Sequence, residues 1–243
     1  MSKKIAVIIG VGAPAGLGAS LCRRAAKEGH QVVVVGRTPE KIEAIAAEIS
    51  AKGGSAVGLA VDVTDEASVV ELFETVSGMD GELDVVVQNV GGGSLHETMT
   101  MTADFFEDVW RACCLAGFLV GREAGKRFSA QGRGSLLFTG ATASLKSRAP
   151  FMAFASAKAG LRAVAAALAR ELGPQGVHVA HFIIDGLIDG ERAKTVLPEV
   201  AEKLGEEGML NPDEIAESYW QVHLQHRSAW TFELDLRPFK ENF

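Results

Sequence analysis

The chain has 243 residues, of which 47% are hydrophobic, 23% charged and 7% aromatic; this is enough apolar material for a large core and excludes a disordered chain. Folds that alternate strand and helix use this much chain as one domain. Lys plus Arg total 24 against 31 Asp plus Glu, a formal charge of −7 with neither sign gathered into a tail, so nucleic acid and anionic membrane are not expected partners.

The opening MSKKIAVIIGVG meets glycine soon after its apolar stretch begins and reads as a first strand, not a signal peptide. No run approaches eighteen uninterrupted apolar residues, so no bilayer span is expected and a cytoplasmic location is. Strands are expected at Ile5–Ile9, Gln31–Val35, Ala56–Val61, Leu83–Gln88, Ser135–Thr139, Val177–Ile184 and Thr231–Leu236. Helical periodicity falls between them at Leu17–Lys27, Pro39–Ala51, Glu66–Ser77, Ala103–Ala130, Phe151–Leu172 and Pro212–Gln225. Strands such as Val32–Val35 have no polar face, as when helices cover both sides of a parallel sheet. The expected architecture is α/β: a doubly wound, mostly parallel seven-stranded sheet, a Rossmann fold, in one domain over 1–243. The charged segment Asp185–Leu210 is the one irregular region and is expected to be a substrate lid.

Directly after the first strand, Gly10–Gly18 reads GVGAPAGLG and opens a helix, the context a dinucleotide fingerprint requires. Glycines let backbone N–H groups approach a pyrophosphate, and the helix N-terminus adds partial positive charge. Candidate contacts here are Gly12, Ala15, Gly16, Leu17 and Gly18. The second strand ends in Gly36-Arg37, where a carboxylate would mark NAD; an arginine favours the 2′-phosphate of NADP(H) over NAD(H). The third ends in Asp62-Val63, a carboxylate placed to accept from an adenine amino group, and the fourth in Gln88-Asn89-Val90-Gly91.

These motifs, in this order, resemble the short-chain dehydrogenase/reductase superfamily over essentially the full length. Its TGxxxGxG corresponds to Val11-Gly12 with Gly16 and Gly18, its NNAG to Gln88–Gly91, its DV pair to Asp62-Val63 and its lysine helix to FASAKAG with Lys158. The resemblance implies a nicotinamide cofactor across the switch point of the sheet, a small-molecule substrate above it, Gly186 in the turn after the sixth strand, and a homodimer or homotetramer. It also implies that the helix carrying Phe105, Phe106, Val109, Trp110, Cys113 and Phe118, with the alanine-rich helix after Phe154, packs against a neighbouring subunit.

The catalytic pattern of that superfamily breaks here. Its Tyr lies four residues before the Lys, its Ser thirteen before the Tyr, and its Asn one helix earlier; the matching positions are Phe154, Ala141 and Cys114. Enoyl reductases of the superfamily place Tyr seven residues before Lys, where Phe151 stands, and the only tyrosine, Tyr219, has no lysine four residues on. Lys158 therefore keeps its role toward the nicotinamide ribose and loses its role toward Tyr. The stretches Phe138–Ser144 and His178–Gly190 resemble a divergent subgroup with Phe in place of Tyr. Replacement acids are Thr139, Thr142, Ser144, Ser156 and Asp185, each of which also reads as a cap or turn residue.

No metal is expected. His178 and His181 lie on opposite faces of a strand; His223 and His226 could share an ion, but no third ligand completes a shell and a solvated helix face is the simpler reading. Cys22, Cys113 and Cys114 contain no CxxC and read as free buried thiols. Two functions follow: an NADP(H)-dependent oxidoreductase with an atypical active site, or a dinucleotide-binding sensor or partner subunit without turnover. Lyase or isomerase chemistry on the same fold is a third.

Overall fold

The computed structural model describes residues 3–91 and 95–241, with the side chains of Arg192 and Val196 set aside. Seven strands form one sheet in the order β3-β2-β1-β4-β5-β6-β7: β1 Lys4–Ile9, β2 Gln31–Gly36, β3 Ser55–Ala60, β4 Glu82–Gln88, β5 Gly134–Thr139, β6 Val177–Ile184 and β7 Glu233–Leu236. Every adjacent pair is parallel. The order reverses between β1 and β4, and this switch point opens a crevice at the carboxyl ends of the strands.

The two-residue period of the strands sorts the core. Ala6 and Ile8 of β1 pack with Ala19, Cys22, Ile45 and Tyr219, from α1 (Leu17–Lys27), α2 (Pro39–Ala51) and α9 (Pro212–His223). Ile5, Val7 and Ile9 face α3 (Glu66–Ser77), α5 (Ala116–Gln131) and α6 (Met152–Leu172). On α5 the glycines fall one turn apart: a Cβ at Gly117 would come within 2.2 Å of Leu161 and one at Gly121 within 2.5 Å of Leu168. Their bare backbone lets α5 settle onto α6. The segment Met152–Gln175 is long and apolar enough to cross a membrane by length and hydropathy, yet Leu161, Ala165 and Leu172 are buried against the sheet.

The expected helix Ala103–Ala130 is one rod with an interruption. Thr102 caps α4 (Ala103–Trp110) by accepting from Phe105 N–H, and a π-helical turn at Arg111–Leu115 joins it to α5. Such single wide turns cluster at functional sites, and hydrophobic periodicity does not reveal one. Two short helices, α7 (Glu191–Val196) and α8 (Pro198–Leu204), occupy the segment expected to be irregular. A parallel bridge between Ile188 and Leu210 pins the ends of that segment together. Within the loop Gly91–Thr102 between β4 and α4, residues 92–94 lie outside the described residues.

Candidate functional site

At the crevice the chain closes around glycines. Gly10 has φ +89°, and a Cβ there would lie 2.6 Å from the Asn89 backbone; one at Gly36 would lie 2.2 Å from Val11 O. Only glycine permits these approaches. Gly12 is the opposite case, with nothing within 4 Å of a Cβ, so its missing side chain leaves open space. Helices α3, α4 and α9 are capped by side chains of Asp65, Thr102 and Asn211, whereas α1 begins at Gly16 with no side-chain cap and no acid in its first turn. An uncapped helix start beside open space fits an anion. Ala15, Leu17 and Gly18 complete this loop, and Gly190 closes it from the other side, its Cβ position 3.3 Å from Ala15 O. In the sequence Gly190 is only the last residue of the stretch His178–Gly190, with nothing to mark it as a neighbour of the glycine loop.

Arg37 is exposed and makes no hydrogen bond or ion pair among the described residues. Asp62 accepts from Thr64 N–H at 2.9 Å and from its hydroxyl at 2.8 Å; these bonds, with a smaller pull from Arg37, hold its pKa below the ordinary carboxylate value. Val63 beside it is buried. Asn89 donates to Gly10 O at 3.3 Å and ties β4 to β1.

Lys158 lies at the centre. It is buried, and its ammonium donates to Thr139 O at 2.7 Å and Val90 O at 3.3 Å; burial pushes its pKa below the ordinary lysine value. A Cβ at Gly91, φ +133°, would sit 3.0 Å from Lys158 Nζ and 3.1 Å from Cys113 Sγ. The thiol beside the lysine therefore belongs to Cys113, the neighbour of Cys114, which the motif alignment matches to the Asn position. Cys114 instead packs its sulfur where a Cβ at Gly160 would be, 2.7 Å away. Adjacent positions in a π turn point in different directions, and spacing alone could not choose between them.

Where the resemblance calls for Tyr, the Phe154 ring centroid stands 5.8 Å from Lys158 Nζ. Ala141 joins Phe154, Phe151, Val109 and Cys113 in one apolar cluster. The replacement acids separate cleanly. Ser156 is exposed and donates back to Ala153 O; Ser144 accepts from Ala141 N–H; Thr139 accepts from the hydroxyl of Tyr219 at 2.9 Å. Burial raises the Tyr219 phenol above its ordinary pKa. Thr142 donates to Asp185 Oδ1 at 2.5 Å, and Asp185 Oδ2 lies 3.3 Å from an Arg237 nitrogen. Gly186, φ +143°, follows, with Pro238 2.9 Å from its Cβ position. A cavity of about 590 Å³ bounded by Asp189, Leu210, Arg237 and Phe239 lies beside this cluster and touches neither Lys158 nor Phe154.

The histidines correct one expectation. His178 and His181 do face opposite sides of β6, bonded to Thr231 O and Glu233 respectively. The His223 side chain, however, is only 7% exposed and bonded to Ser135 and Asp84, not solvated, and it does not pair with His226. Helical spacing sees only neighbours on the same helix, and the partners of His223 come from two strands.

The parallel order, the switch point and the uncapped glycine loop define a nucleotide-binding Rossmann protein. A family model described as short chain dehydrogenase matches residues 4–201. The chain belongs to the short chain dehydrogenase family, a class of oxidoreductase. It is 34% identical over 183 residues to a short-chain dehydrogenase/reductase, eriH, of Hericium erinaceus, covering 73% of this chain and 72% of that one. It is 33% identical over 226 residues to the uncharacterized oxidoreductase YuxG of Bacillus subtilis, covering 90% of this chain but only 32% of that protein. Among solved structures, a short-chain dehydrogenase from Rhodopseudomonas palustris superposes with TM-score 0.82 at 38% identity, covering 98% and 99% of the two chains. A metagenomic short-chain oxidoreductase in complex with NADP gives 0.82 at 25%, covering 99% of each.

Proposed function

We propose that the protein is an NADP(H)-dependent oxidoreductase acting on a small organic substrate whose reduction depends less on a positioned acid than a ketone's does: an iminium, which hydride alone takes to a neutral amine, or a conjugated enone, whose enolate takes up its proton at carbon after hydride addition. The observation that carries this reading is the contrast around Lys158, with glycine loop, uncapped helix and free Arg37 on one side and the apolar Phe154–Ala141 wall on the other. Gly12, Gly16 and Gly18 with the first turn of α1 would receive the pyrophosphate, Arg37 the 2′-phosphate, Asp62 and Val63 the adenine, and Asn89, Gly91, Lys158 and Gly186 the nicotinamide half. NADP(H) supplies or accepts a hydride when bound.

Lys158 brings a buried positive charge that orients the ribose, and its two carbonyl bonds fix its direction. Phe154 and Ala141 exclude water and offer no proton. A positioned general acid contributes about 10²- to 10⁴-fold, so an ordinary ketone is slow at this wall. An iminium becomes neutral on accepting hydride and needs no acid. Next to Ala141 stand the Thr142 and Ser144 hydroxyls and, bonded to Thr142, the Asp185 carboxylate that Arg237 also pairs: the carboxylate, shared with Arg237, favours a cationic substrate, and the Thr142 hydroxyl relays a proton where one is required. The 185–210 segment, pinned at Ile188–Leu210 and resting by Gly190 on the glycine loop, covers the substrate. Exposed Trp110, Phe118 and Met152 are the face through which a homodimer or homotetramer would assemble.

The test is NADPH consumption against imines, enones and ketones, for the wild type and Asp185→Asn. Turnover of imines or enones at least about 10-fold above ketones, falling about 100-fold in Asp185→Asn while NADPH affinity holds, is the expected result. The second reading, a dinucleotide-binding sensor or partner subunit, is favoured by the loss of every proton-donating family position at once. It predicts tight NADPH binding with no consumption anywhere in the panel.

A further inference from the structure

We propose that His30, Asp84 and His223 form a binding site for a single zinc-type divalent cation at the amino-terminal edge of the sheet, at the opposite ends of the strands from the dinucleotide crevice. The three residues are far apart in sequence and come from the turn before β2, the start of β4 and the end of α9. Their ligand atoms lie within 4.8 Å of one another. His30 Nε2 is 2.8 Å and His223 Nε2 3.2 Å from the same oxygen, Asp84 Oδ2, so both rings already point one nitrogen at one place.

Two features beyond proximity resemble a metal centre. The second nitrogen of His223, Nδ1, is 2.8 Å from Ser135 Oγ; an outer partner of this kind fixes the ring orientation of a ligating histidine. Trp220 holds both rings, with centroids 5.1 Å from His30 and 4.8 Å from His223. The His30 and His223 side chains are only 4% and 7% exposed, and Asp84 18%. Buried His30 Nδ1 has no partner among the described residues, so Nε2 is the nitrogen through which this ring engages.

Two imidazoles and one carboxylate are a borderline donor set that suits Zn²⁺ over Mg²⁺ or Ca²⁺, and water would fill a fourth, tetrahedral position. Lys4 Nζ lies 3.0 Å from the same Asp84 oxygen, but its side chain is 56% exposed and can swing out as the cation enters. Arg133 is nearby and is held by Glu82. No residue of the crevice takes part, so the site is structural: it ties α9 to β4 and β5.

The experiment is calorimetric titration of the chelator-treated full chain with zinc sulfate, repeated with cobalt(II) to read the visible absorption of a tetrahedral site. The expected result is one ion per chain, at least 10-fold weaker in His30→Gln and His223→Gln and weaker in Ser135→Ala. Lys4→Gln, an exposed change that leaves the fold intact, should bind more tightly. At zinc about 100-fold above Kd the unfolding midpoint should rise by about 5–10 °C. Absence of saturable binding in the wild type overturns the proposal. So does unchanged affinity in His223→Gln, which would place the ion on another histidine; if that variant fails to fold, unchanged affinity in Lys4→Gln has the same force.

Discussion

Two halves of one crevice differ in what they have kept. On the β1–β4 side several groups proposed to receive a dinucleotide stand without a protein partner among the described residues: an uncapped helix start, open space at Gly12 and an exposed Arg37, while Asp62 and Asn89 are bonded to Thr64 and Gly10. On the β5–β6 side the lysine survives, but the tyrosine and serine positions are apolar and the polar groups are paired with one another. Lys158 lies between the two halves, bonded to Thr139 O and Val90 O. On the proposed reading, cofactor binding and proton transfer are separable parts of this site.

Breaking the first half should have the largest effect. Gly36→Ala drives a methyl into Val11 O, and the strain should leave the protein unfolded or severely destabilised by thermal denaturation. Gly12→Ala meets nothing within 4 Å, so it should fold with an unchanged midpoint and yet lose NADPH affinity by about 10-fold or more. The pair separates glycine for packing from glycine for the ligand. The second half can be rebuilt: Ala141→Ser with Phe154→Tyr returns an acid within reach of Lys158 and should raise ketone reduction about 10- to 100-fold with little change in NADPH binding.

A smaller effect lies beneath the substrate side. Burial pushes His181 down to about 4 despite its bond to Glu233. The unfolded chain binds this proton near pH 6.5, and the folded chain refuses it until about 4. Its contribution is thus full above pH 6.5 and lost as pH falls toward 4, by about 3 kcal/mol in total. Denaturant midpoints at pH 7 and pH 4.5 should diverge more in the wild type than in His181→Gln.

Much of this was legible in the sequence. Continuous apolar strands such as Val32–Val35, alternating with amphipathic helices, specify the parallel sheet, and six of the expected helices begin within one residue of their observed starts. The glycine turn and the placement of Arg37 were legible because their signals are local: glycines at a strand-to-helix turn and an arginine one residue beyond a strand. The substrate half was less so. Which cysteine faces Lys158 depends on a π turn, and α7 and α8 are too short to set a period. The Thr142–Asp185–Arg237 cluster and the partners of His223 join residues dozens of positions apart. Such pairings are products of topology, so single-residue readings of Thr142 as a cap or His223 as solvated could not anticipate them.

Whether the proposed dinucleotide half binds its ligand and reads the 2′-phosphate is measured by fluorescence titration of wild type and Arg37→Ala with NADPH and NADH. The expected result is micromolar NADPH binding, NADH at least about 10-fold weaker, and an Arg37→Ala variant that loses this preference by weakening NADPH alone. Failure of the wild type to bind either dinucleotide would contradict it, and would leave the glycines of β1 and α1 as packing residues only.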